Sequence, residues 1–152
     1  MINFTEGRIN LDAKSILSTS NYEDLDVLAN EGLIEKRADA AGPYFYVEAA
    51  ADGMRFSVFI SLRNKGIEWL RLHWLDSPIK GWDDVSEKAM KDEYRLLSNF
   101  VEKAVGSPPD NKGNRKRTWR FKWGQVEVTY EPRAYQADIF MKPRGGRSKE
   151  DR

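Results

Sequence analysis

From Arg55 to Leu62 the chain alternates strictly, with Phe56, Val58, Ile60 and Leu62 on one side and Arg55, Ser57, Phe59 and Ser61 on the other. Successive side chains of a strand point to opposite faces, so this run predicts a half-buried β-strand. Tyr44 to Ala49 leads into it through Ala51-Asp52-Gly53, a tight-turn signal. Leu70, Leu72 and Trp74 alternate after Asn64-Lys65-Gly66, where Gly66 suits a positive-φ position. The three strands make a predicted meander. A second is predicted downstream: Thr118 to Trp123, then Val126, Val128 and Tyr130 after Gly124, then Tyr135, Ala137, Ile139 and Met141 after a Glu131-Pro132-Arg133 turn.

Between the meanders the period changes from two to that of a helix. Val85, Ala89, Leu96, Leu97, Phe100, Val101 and Ala104 form an apolar stripe over residues 84 to 104. Asp84 with Glu87 three positions on reads as a capping box, and Asp83 adds negative charge at the positive end of the helix dipole. Gly106-Ser107-Pro108-Pro109 stops the element, because proline cannot continue the hydrogen-bond ladder. Near the N-terminus, residues 7 to 11 read as a short strand. Asn21 to Asn30 reads as a small helix capped by Ser20 with Glu23 at its third position, burying Tyr22, Leu25 and Leu28. The expected fold class is α+β: an antiparallel sheet of about six or seven strands in two meanders, one long helix on one face, and a short N-terminal helix. Residues 1–142 are expected to form a single domain and 143–152 a frayed basic tail, while residues 107–117 are expected to be an exposed basic loop.

At 152 residues, 40% of them apolar and 32% charged, the chain is long enough to bury about two-thirds of its unfolded surface. It contains no cysteine, which excludes disulfides, thiolate nucleophiles and cysteine-held metal. Lack of cysteine suits a reducing compartment. The opening MINFTEGRIN has no basic-then-apolar leader pattern, and no window nears the roughly 18 apolar residues of a membrane helix. A cytoplasmic location without membrane contact is the expectation. Net charge is +1, yet residues 1–62 carry −5 and residues 110–152 carry +6. The near-neutral total conceals two opposed fields.

Those fields define two candidate binding surfaces. Tyr22, Glu23, Asp24, Asp26 and Glu31 put clustered carboxylates on the N-terminal helix, where they could meet a basic protein partner and speed encounter. Lys112, Arg115, Lys116, Arg117 and Arg120, with Lys122 and interleaved by Trp119, Phe121 and Trp123, resemble what a nucleic-acid-binding surface needs in cations and stacking rings. Strict alternation would place the three aromatics on one face, where they serve equally as core.

Catalytic constellations are scarce. His73 is the only histidine, so histidine-based metal sites and two-histidine acid–base pairs are excluded, and a hydrogen-bonded sheet histidine is the expectation. Glu127 and Asp138 could face one another across adjacent strands as an acid–base pair, but surface charge explains them better. The sequence carries no glycine-rich phosphate loop, nucleophile elbow or metal-ligand spacing. A non-enzymatic protein with no cofactor, no metal and no catalytic residue is therefore expected.

Residues 121–140, FKWGQVEVTYEPRAYQADIF, resemble the C-terminal hairpin of small bacterial immunity proteins of polymorphic and contact-dependent toxin systems. The likeness lies in Trp123-Gly124, the alternating Val126, Val128 and Tyr130, the Glu131 turn, and Ala137 with Ile139. The order of meander, capped helix and proline-rich break matches as well. What the resemblance implies is a stoichiometric, non-catalytic inhibitor of a cognate protein toxin, a basic nuclease being one candidate class. It transfers no binding residue, because contact residues in such proteins differ from pair to pair.

Overall fold

Two-residue turns set the framework. Asp52 and Gly53 both take positive φ, as do Asn64 and Lys65, so each link bends with the twist that a tight hairpin requires. The left-handed positions of the second turn are thus Asn64 and Lys65, not Gly66. A computed structural model describes residues 1–81, 83, 85–133 and 136–144. Its strands, in chain order, are β1 (Ile2–Asn3), β2 (Arg8–Asn10), β3 (Ser15–Ile16), β4 (Glu35–Asp39), β5 (Gly42–Ala51), β6 (Met54–Arg63), β7 (Gly66–Trp74), β8 (Asn111–Lys112), β9 (Lys116–Arg120), β10 (Gly124–Glu131) and β11 (Gln136–Pro143). The helices are α1 (Tyr22–Asn30) and α2 (Glu87–Val105).

The class is α+β and antiparallel, as the pattern implied. Among the described residues the main sheet has eight strands, in the order β4-β5-β6-β7-β11-β10-β9-β8, rather than six or seven. The extra strands are β4, whose EKRAD sequence has no apolar alternation, and β8, only two residues long inside the expected loop. Pairing of β7 with β11 joins the two meanders, Leu72 lying opposite Ile139. β2, the strand expected near residue 9, belongs instead to a separate three-stranded sheet with β1 and β3.

One face of the main sheet carries the core: Phe45, Phe56, Val58, Ile60, Leu72, Trp119, Val126, Val128, Ile139 and Met141 are buried there. α2, α1 and the small sheet all cover this same face. Tyr94 of α2 meets Tyr130 edge-on at 5.0 Å, Phe100 touches both Phe4 and Phe56, and Tyr22 of α1 packs on Phe45 at 5.7 Å. α2 begins at Glu87 because Ser86 is its cap, the hydroxyl accepting from the Ala89 amide; the expected cap, Asp84, lies outside the described residues. The buried stripe is consequently Met90, Glu93, Tyr94, Leu97, Ser98 and Val101, rotated from the expected one, and Leu96 and Ala104 are exposed. α1 is capped by Asn21, not Ser20, with Asp24 rather than Glu23 closing the capping box.

β9 ends at Arg120, and the backbones of Phe121 and Gly124 bond to each other in a tight turn. The expected strand to Trp123 is thus cut short. At the other end, Pro143 is buried at the end of β11 and the Arg144 amide donates to the Trp123 carbonyl, so the frayed tail does not begin at 143. Residues 145–152 and Tyr135 lie outside the described residues.

Candidate functional site

The opposite face of the main sheet carries no covering element among the described residues. Eight side chains cross it in one row, each the direct cross-strand partner of the next: Glu35, Tyr46, Phe59, Arg71, Phe140, Glu127, Thr118 and Asn111. At the usual strand spacing the row is about 34 Å long. Alternation of β5, β6, β7 and β11 adds Tyr44, Ser57, Ser61, Trp69, His73, Asp138 and Lys142 to the same face.

This face has an aromatic centre clamped by arginines. Tyr46 and Phe59 meet edge-on at 5.3 Å; the Arg37 guanidinium lies 3.8 Å from the Tyr46 ring centre and that of Arg71 lies 4.4 Å from the Phe59 ring centre. Trp69 and Phe140 meet edge-on at 5.6 Å. Stacking of a weakly hydrated guanidinium on a ring holds both groups in place, and each arginine also has a carboxylate partner, Glu35 for Arg37 and Asp138 for Arg71. Between the rings, Tyr44, Phe59, Ser61, Trp69 and Arg71 line a shallow groove of about 440 Å³.

Short acidic side chains lie beneath the longer ones. Glu127 is 3% exposed and Asp138 5%. Glu127 accepts from the Lys142 ammonium at 2.9 Å and from the Gln125 amide. Asp138 accepts from the Gln136 amide and faces His73 Nδ1 at 3.2 Å and Arg71 at 3.6 Å. A buried carboxylate without such partners would be strongly destabilising. Glu127 and Asp138 share the face but do not oppose each other: Glu127 stands opposite Phe140 and Asp138 opposite Thr129. The single histidine is the hydrogen-bonded sheet residue its surroundings suggested. Ser57 lies directly across from His73, but its hydroxyl pairs with the Tyr46 hydroxyl at 3.0 Å and it is buried.

The two surfaces read from sequence are placed differently. On α1, Asp24 accepts from the Asn21 amide, Asp26 pairs with Lys36 at 3.1 Å and Glu31 grips Lys14 at 2.7 Å, while Tyr22 packs on Phe45 beneath Lys36. Only Glu23 of the five lacks such a partner among the described residues. The basic segment divides across the β8–β9 hairpin. Lys116 and Arg120 share the open face with Thr118; Arg117 points the other way and lies over the Tyr94 ring at 5.2 Å. Lys112, opposite Arg117, and Arg115 are exposed. Trp119 is core and its indole donates to the Ser107 carbonyl, whereas Phe121 and Trp123 stack on each other at 5.9 Å. No group of metal-ligating side chains occurs among the described residues, and no described helix is long and apolar enough to cross a membrane.

Sequence reasoning missed Tyr44, Tyr46, Phe59, Arg71, Trp69 and Phe140 as a group. The available signal was aromatic residues at positions that alternation assigns to water: Phe59 between Ser57 and Ser61, and Phe140 between Ile139 and Met141. Compared with known proteins, the chain matches no family model, and no curated protein or solved structure is significantly similar to it.

Proposed function

We propose that this chain is a non-catalytic binding protein of the immunity type, which neutralises a cognate toxin by stoichiometric association through the open face of its main sheet. The observation that carries the reading is the row from Tyr46 to Phe140, where tyrosine, phenylalanine and arginine, with Trp69 beside them, stand half-buried and under no covering element among the described residues, at the centre of a sheet eight strands wide. Tyrosine, tryptophan and arginine are the residues that dominate protein interfaces when a partner excludes water from them. The likeness of residues 121–140 to immunity-protein hairpins supplies the class of partner. The paired carboxylates of α1 favour the sheet over the helix as the docking face, since a pair already formed gains little from a second cation.

Against acid–base catalysis stand the engaged groups themselves. Asp138, His73 and Ser57 spend their hydrogen bonds on neighbours in the sheet, and the groove beside them is lined by none of the three.

Growth rescue tests the proposal. Cells that produce the product of the adjoining gene are expected to stop growing, and co-production of this chain to restore growth. A folded Trp69→Ala, Phe140→Ala double variant is expected to lose that protection while Glu23→Ala retains it. Equal protection by all three forms would contradict the open-face assignment, and a harmless gene product would contradict the immunity role.

A further inference from the structure

Resting on the docking reading, the charge of the open face specifies what its partner presents. Three of its carboxylates are held by cations, Glu127 by Lys142, Asp138 by His73 and Arg71, and Glu35 by Arg37, while Glu48 accepts from the Tyr46 hydroxyl at 3.4 Å and Asp39 from the Ala41 amide. Glu131, at the end of β10, accepts from the Arg133 amide. The cations at the β9 side are not neutralised in this way. Lys116 and Arg120 form no salt bridge among the described residues, and neither do Lys112, Arg115 and Lys122 at the same edge. Asp110 accepts from the Arg120 backbone amide, and the Arg120 guanidinium forms no salt bridge among the described residues.

We infer that the open face docks a protein surface rich in carboxylates, with Lys116 and Arg120 as its cationic rim and Arg71, Phe59, Trp69 and Phe140 as its water-excluding centre. Unpaired rim charges set the encounter rate and the sign of the partner, while a desolvated centre sets the lifetime of the complex. A nucleic acid fits this face less well. The rings beside these cations are consumed: Trp119 is core, and Phe121 and Trp123 stack on each other. The half-buried rings Phe59, Trp69 and Phe140 stand two or more strands away from Lys116 and Arg120, so no ring beside those cations is left for a base to stack on. The partner would then be met on an acidic exosite and not on a basic substrate-binding cleft.

The test uses three polymers of known charge, a poly-glutamate peptide, a poly-lysine peptide of equal length and an oligothymidylate, titrated at low salt into the full chain and read by backbone amide NMR shifts. Poly-glutamate is expected to bind, to shift Thr118, Arg120, Gln125 and Lys142, and to lose about tenfold in affinity in the Lys116→Glu, Arg120→Glu double variant. Glu23→Lys is expected to leave it unchanged. Absence of poly-glutamate binding, preferential binding of poly-lysine, or tighter binding of oligothymidylate to the same residues would each overturn the inference. A null result with poly-glutamate alongside intact growth rescue removes the acidic partner and keeps the immunity role; poly-glutamate binding without rescue does the reverse.

Discussion

A β-carbon added at Gly7 would sit 2.2 Å from Cδ2 of the Trp123 indole, and the Gly7 backbone has φ +67. The two residues hold the small N-terminal sheet against the turn between β9 and β10, because the same indole donates to the Phe4 carbonyl at 3.0 Å. Gly7→Ala is therefore strained twice, by backbone conformation and by collision with an indole held by its bond to Phe4 and its stacking on Phe121. Its expected destabilisation is about 3 kcal/mol. Urea unfolding measures it, and an unchanged midpoint would contradict this packing.

Glu93 offers a pH test of the α2 interface. Its carboxyl is buried against the sheet and bonded to the Ser77 hydroxyl. Burial raises its pKa above the ordinary 4.5, an effect opposed by the Ser77 hydrogen bond and by His73 and reinforced by Asp138. A carboxyl with a raised folded-state value favours folding most when protonated. That contribution is complete below the unfolded value and is lost as pH rises through the folded one. Glu93→Gln keeps a partner for Ser77 and removes the charge, so it is expected to flatten the fall in stability just above pH 4.5 and to raise the melting temperature at neutral pH. A lower melting temperature at pH 7 would show that the charged form is the one the fold uses.

The capping box of α1 separates structural acid from surface acid. Asn21→Ala removes the acceptor for the Asp24 amide, held at 2.9 Å, and is expected to cost about 1 kcal/mol. Glu23→Ala touches no partner and is expected to change stability by less than about 0.5 kcal/mol. Thermal unfolding of the two variants compares them directly. Equal losses would mean that Glu23 carries the cap, as the sequence alone suggested.

Legibility in the sequence follows from how local each signal is. The strands β5, β6, β7, β10 and β11 are visible because one face is buried, so period two survives in Phe56, Val58 and Ile60 or in Val126 and Val128. β4 is invisible, since an edge strand of charged residues has no such face. Helix caps were displaced by one or two residues because Ser20, Asn21 and Ser86 are all competent caps, and the packing of Leu25, Leu28 and Tyr94 selects among them. The candidate site is least legible. An open face needs knowledge of which side the helices cover, and that depends on Tyr22 meeting Phe45 and Phe100 meeting Phe56, contacts between residues far apart in the chain. Clustered acids in sequence suggested a docking helix; their pairing with Lys14 and Lys36 emerges only in three dimensions.

Hydroxyl-radical footprinting of the chain alone and with the adjoining gene's product tests the docking face most directly. In a one-to-one complex, Tyr44, Tyr46, Phe59, Trp69 and Phe140 are expected to become protected while Val27, exposed on α1, keeps its reactivity. Protection of Val27 with the five aromatics still reactive would place the partner on α1 and contradict the open-face account.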